Sequence, residues 1–113
     1  SLKLEEGAEF RLLKRSRLDL SQKSSFVIED GSLLEIGDGA ELRLGQGDTL
    51  RIAAGARVHI QGKGRLRVDK GGVVCLEQGA EVVLEKGRRN LKLHRRTVIP
   101  QGYANPRKLI PGK

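Results

Sequence analysis

The sequence predicts an all-β chain, a right-handed parallel β-helix (β-solenoid) of eight-residue strands, on three observations. Large apolar side chains return every eighth residue, a small residue stands two positions before each, and glycine marks the junctions. The first large series runs Leu2, Phe10, Leu18, Phe26, Leu34, Leu42, Leu50, Val58, Leu66, Val74 and Val82. The second, two residues further on, runs Leu4, Leu12, Leu20, Ile28, Ile36, Leu44, Ile52, Ile60, Val68, Leu76 and Leu84. The small positions are Ala8, Ser16, Ser24, Ser32, Ala40, Asp48, Ala56, Gly64, Gly72 and Ala80, many of them preceded by glycine, as at Gly7, Gly31, Gly39 and Gly55.

Within each octad the order small, large, large at i, i+2 and i+4 is the alternation of a strand with one buried face. The residues between are largely charged, as at Glu41, Arg43, Arg65 and Arg67. Each octad is therefore one short strand and one tight turn, with glycine where the chain must take positive φ or pass close to its neighbour. A helix is excluded, because a 3.6-residue turn cannot hold i, i+2 and i+8 on one stripe. Such strands bury their inner face only by stacking on equivalent strands of successive coils, and right-handed crossovers are the general rule for parallel strands.

The number of octads per coil follows from the outward columns. A spacing of 24 aligns Arg17, Glu41 and Arg65 as alternating charges and Ser25, Thr49 and Val73 as an uncharged column. A spacing of 16 mixes Ser25, Glu41, Arg57 and Val73. Three strands per coil and about four coils result, with two octads per coil and an antiparallel sandwich of hairpins as the alternatives. At 113 residues the chain makes a single domain, 1–113, with 1–94 as solenoid coils and 95–113 as an irregular cap or tail. It begins at Ser1 and has no Met, the expectation being an excised domain or processed product. No run approaches the roughly 20 apolar residues of a membrane helix, so no membrane insertion is expected. Cys75 has no partner for a disulfide, and two histidines do not make a zinc set.

Charge divides the chain unevenly. All 14 acidic residues lie at or before Glu85, with 13 Lys and Arg, while residues 86 to 113 hold nine Lys and Arg and no acid. The octad also breaks here: Leu91 and Leu93 stand one residue late, after Arg88, Arg89 and Asn90 lengthen a turn. Asn90 to His94 reads as a last strand in shifted register and Thr97 to Ile99 as a short strand. Pro100, Pro106 and Pro111 then make a regular ladder improbable. Beyond that point the tail either caps the open end, whose unpaired backbone invites aggregation, or runs back along a face. The least charged face carries Ser25, Val27, Thr49, Val73 and Cys75, and it is the one expected to lie under Tyr103, Leu109 and Ile110. The basic segment makes Lys86, Arg88, Arg89, Lys92, Arg95, Arg96, Arg107 and Lys108 candidates for binding a polyanion, whether glycan, nucleic acid or anionic surface. Tyr103 alone could stack on a base, so single-strand recognition lacks its platforms.

Catalytic chemistry finds no footing. Outward acids such as Glu35, Glu41 and Asp19 stand singly among bases, a pattern of cross-coil ion pairs. His59 and His94 read as surface residues, and Cys75, outward between Val74 and Leu76, as a partly covered apolar residue without a base beside it. The segments GQGDTL and GKGRL lack the ending of a phosphate loop and are corners. Thr49 and Thr97 are the only threonines, so no ordered threonine array exists. No catalytic, cofactor or metal site is expected, and no enzyme.

The stretches SSFVIEDGSLLEIGDGAELRL and GKGRLRVDKGGVVCLEQGAEVVL, about half the chain, resemble the glycine-punctuated β-helical segments of Bacteroidetes-type surface and secreted proteins. That resemblance implies an extracellular spacer or adhesive stalk, although the basic C-terminal end departs from the pattern. A weaker resemblance, of architecture only, is to bactofilins, whose repeats are closer to six residues. The expected function is a structural module, a rigid stalk, spacer or adhesive domain of a bacterial cell-surface or secreted protein, extracellular or in the envelope. Its expected partners are other domains of a larger chain, with polyanion docking or bactofilin-like end-to-end self-association as alternatives.

Overall fold

Each octad becomes one strand. In the computed structural model, which describes residues 2–21 and 23–108, the strands are β1 (Leu2–Leu4), β2 (Glu9–Leu12), β3 (Arg17–Asp19), β4 (Ser25–Ile28), β5 (Leu33–Ile36) and β6 (Glu41–Leu44). They continue as β7 (Thr49–Ile52), β8 (Arg57–Ile60), β9 (Arg65–Val68), β10 (Val73–Leu76), β11 (Glu81–Leu84) and β12 (Leu91–Leu93). Three parallel sheets form: a first of β1, β4, β7 and β10, a second of β2, β5, β8 and β11, and a third of β3, β6, β9 and β12. The Cα partners of β4 and β7 are Ser25 with Thr49 and Phe26 with Leu50, so one coil is 24 residues and three strands. The period of 16 and the antiparallel sandwich are both excluded by this pairing.

The inward columns fill a continuous aliphatic interior. Phe26, Ile28, Leu34, Ile36, Leu42, Leu44, Leu50 and Ile60 are at most 1 % exposed. Phe10 meets Phe26 edge to face, with centroids 5.4 Å apart. Each buried Leu or Ile contributes about 1.5–3 kcal/mol by leaving water. The corners are four-residue turns closed by a backbone bond from the fourth N–H to the first carbonyl, as from Ala8 to Glu5 at 2.9 Å and Ala40 to Gly37 at 3.0 Å. At the first corner, between first and second sheets, the glycines stack directly. The N–H of Gly7 donates to Gly31 at 3.2 Å, Gly31 to Gly55 at 3.1 Å and Gly55 to Gly79 at 3.2 Å. These four glycines have φ between 80° and 94°, the left-handed region that only glycine enters cheaply. Arg15 and Lys23 hold the same conformation in the first coil without that exemption.

The lengthened turn is a short 3-10 helix, Gly87–Asn90, after which β12 regains the ladder with Leu91 opposite Leu66. Asn90, which the periodicity placed at the start of the last strand, instead ends this turn with its side chain fully buried. Its Nδ2 donates to the carbonyls of Gly62 at 3.0 Å and Gly64 at 2.8 Å, and its Oδ1 accepts the Lys86 N–H at 2.7 Å. The extra residue therefore brings its own hydrogen-bonding group to the backbone that it displaces.

The segment from Thr97 makes one parallel bridge, Val98 with Val73, rather than a strand, because Pro100 cannot continue the ladder. Val98 N–H donates to Gly72, and the Val74 N–H donates to Val98 at 3.0 Å. Ala104 N–H then donates to Leu76 at 2.7 Å, so the described tail lies on the free edge of β10, and it includes a 3-10 turn at Pro106–Lys108 with Pro106 buried. The described tail thus caps this edge of the first sheet. Tyr103 is half-buried, while Leu109 and Ile110 lie outside the described residues. Among the described residues, no helix is long and apolar enough to cross a membrane.

Candidate polyanion interface

Coil stacking decides which charges meet. The third sheet projects Arg17, Arg43, Arg65, Arg67 and Lys92 outward. The second corner, between second and third sheets, adds Lys14, Arg15, Lys63, Lys86, Arg88 and Arg89. The third corner, which returns to the first sheet, adds Lys23, Lys70, Arg95 and Arg96. Fifteen of the 22 Lys and Arg therefore lie on one side of the triangular section. The carboxylates there are Asp19, Glu41, Asp38, Glu85, Asp69 and the buried Asp48. The opposite edge is the first corner, which carries Glu5, Glu6, Glu29, Asp30 and Glu77 and no base.

Asp48 is consumed by structure: Oδ1 accepts the Ser24 N–H and Oδ2 the Gly45 N–H, both at 2.8 Å, and the residue is 1 % exposed. Asp69 engages two arginines, accepting from Arg43 at 2.8 Å and from Arg67 at 3.2 Å. Partial burial raises its pKa, but the two guanidinium groups outweigh that and hold it below the usual carboxylate range. Arg17 sits 3.7 Å from Asp19 and 3.9 Å from Glu41. Among the described residues, Lys63, Arg65, Lys70, Lys86, Arg88, Arg89, Lys92, Arg95 and Arg96 form no ion pair, and all of them are exposed.

The chain matches no protein-family model, no curated protein and no solved structure.

The structure thus places the sequence-predicted residues as follows. Lys86, Arg88 and Arg89 surround the lengthened second corner, Lys92 projects from β12, and Arg95 and Arg96 occupy the third corner. These six share one side of the molecule. Arg107 lies in the tail, with its guanidinium donating to the His94 carbonyl. Lys108 closes the 3-10 turn Pro106–Lys108, and its side chain lies outside the described residues. Nine further cations of that side come from residues before Lys86, which the charge tally of residues 1 to 85 conceals. Their alignment is readable only once the 24-residue period is applied to corners as well as strands.

A second regularity escaped the sequence. The second residue of β1 and the third residues of β6, β7 and β8 each pair with the first residue of the corner one coil later, 26 positions on. This links Lys3 with Glu29 at 3.7 Å, Arg43 with Asp69 at 2.8 Å, Arg51 with Glu77 at 2.7 Å and His59 with Glu85 at 3.1 Å. The offset is one coil plus two residues. Glu77 also accepts the Ala54 N–H at 3.0 Å and Glu85 the Gly62 N–H at 2.8 Å. These backbone bonds, ahead of Arg51 and His59, hold both carboxyls below their usual range.

The other titratable candidates are dispersed. His59 stands between Glu35 at 3.9 Å and Glu85 at 3.1 Å on the second sheet. His94 accepts the Arg96 N–H at Nδ1. Cys75 is half-buried on the first sheet, and burial pushes its thiol pKa up. Among the described residues, no group of three or more His, Cys, Asp and Glu side chains is placed to hold a metal ion.

Proposed function

We propose that the chain is a structural module without enzymatic activity, a rigid β-solenoid block serving as spacer or adhesive element in a larger bacterial cell-surface or secreted protein. The observation that carries this reading is the continuity of the three parallel ladders around one aliphatic core, from the first coil to the last. Each coil contacts only its neighbours, so stiffness comes from repeated local bonding rather than from long-range closure. The dimensions favour a block over an extended stalk, since the principal extents are 26 × 26 × 26 Å. Its resemblance to glycine-punctuated surface-protein segments supports a setting outside the cell or in the envelope, with other domains of a larger chain as partners.

Native-state hydrogen exchange on the intact chain tests the rigid-block reading. Amides of β4 through β9 are expected to exchange together and slowest, only through global unfolding. Independent opening of these middle coils would contradict it.

A further inference from the structure

We propose, beyond the scaffold reading, that the basic side docks a linear acidic polysaccharide across the third and fourth coils. Two rows of cations cross the third sheet from the second corner to the third. One contains Lys63, Arg65, Arg67 and Lys70; the other contains Arg89, Lys92, Arg95 and Arg96. The rows are held in register by the pairing of Lys92 with Arg67. Adjacent strands stand about 4.8 Å apart, and alternate residues of a strand about 6.6 Å apart, so the cations form a shallow two-rail grid. Among the described residues, only Arg67 of these eight holds a carboxylate, Asp69 at 3.2 Å. The others are free to meet external anions, and most are arginines, whose planar fork matches carboxylate oxygens in pairs.

The same geometry discriminates among polyanions. Sequence-specific reading of a duplex puts a helix or a two-stranded ribbon into a groove, and this side presents a flat ladder with neither, which leaves a duplex phosphate contacts alone. Single-stranded nucleic acid binds on aromatic platforms, yet Phe10 and Phe26 face the core and Tyr103 lies at the capped edge of the first sheet. A lipid surface would press on the whole flat face, including Asp19 and Glu41 of the first two coils, whereas a narrow chain reaches only the two rails. A polymer with acidic groups along a thin backbone lies over both rows and meets the cations of each.

The test measures binding of the full chain to heparin across a salt series, beside duplex DNA and vesicles containing phosphatidylserine. Arg65→Gln with Lys92→Gln removes one cation from each rail, and Lys63→Gln with Lys70→Gln is a second pair at exposed corners. The charge-matched control is Lys3→Gln with Arg57→Gln, on the first and second sheets. Each rail pair is expected to weaken heparin binding by about tenfold or more, and the control by less than about twofold. The proposal is overturned by absent heparin binding at low salt, by equal weakening in the control, or by tighter binding of the duplex or the vesicles than of heparin.

Discussion

Replacing Asn90 with Ala isolates the device that lets the solenoid absorb an extra residue. The substitution removes two donors to the carbonyls of Gly62 and Gly64 and the acceptor for the Lys86 N–H. The bond to Gly64 is fully buried, so an unsatisfied carbonyl there costs about 1–3 kcal/mol. The other two are partly buried, and each lost bond costs about 1 kcal/mol. The total is about 3–5 kcal/mol, a large share of the roughly 5–15 kcal/mol that holds a domain folded. Urea unfolding followed by circular dichroism should show the midpoint falling with the slope unchanged. Asn90→Asp sharpens the test: it keeps the acceptor for Lys86 but turns an oxygen toward two carbonyls, so it should be at least as damaging. A loss below about 1 kcal/mol for Ala, or an Asp variant as stable as the parent, would refute the hydrogen-bonding account.

Three further outcomes follow from the same geometry. Leu42→Ala in the centre of the stack, where the side chain is fully buried, should cost about 2–5 kcal/mol, while Leu2→Ala, 40 % exposed, should cost less than about 1 kcal/mol in parallel urea titrations. Gly55→Ala combines a φ of 82° with a Cβ that would overlap the Asp30 carboxylate, so thermal melts should show a loss above about 1 kcal/mol, only partly recovered when Asp30→Gly clears the space. The depressed carboxyls of Asp69, Glu77 and Glu85 contribute stability that is fully present above the unfolded values near pH 4 and is lost as pH falls through the lower folded values. Melting temperature should therefore decline below about pH 4, and less steeply in a Glu77→Gln, Glu85→Gln variant; an identical decline in that variant would contradict the assignment.

The strands were legible because an eight-residue period is incompatible with a helix and recurs without interruption through Leu84. The coil was legible because outward charges alternate at 24, as Arg17, Glu41 and Arg65 do. Asn90 was visible only as an insertion, since periodicity marks where a pattern fails but not what satisfies the displaced backbone. Arg15 and Lys23 were opaque for a related reason: side-chain chemistry does not announce a left-handed corner when glycine is absent. The candidate site was legible in its C-terminal half, where cations cluster along the chain. Its other half, Arg65 and the corner lysines among it, depends on proximity between coils, which a running tally of charge erases.

Spin-label pairs that use Cys75 test most directly whether a 24-residue coil assembles this side. Cys75 is the Cα partner of Arg51 on the first sheet, whereas His59 lies on the second. Labels at Cys75 and Arg51→Cys should give strong dipolar broadening, and labels at Cys75 and His59→Cys clearly weaker broadening. The reverse pattern would establish a 16-residue coil, and the two cationic rails would no longer share a face.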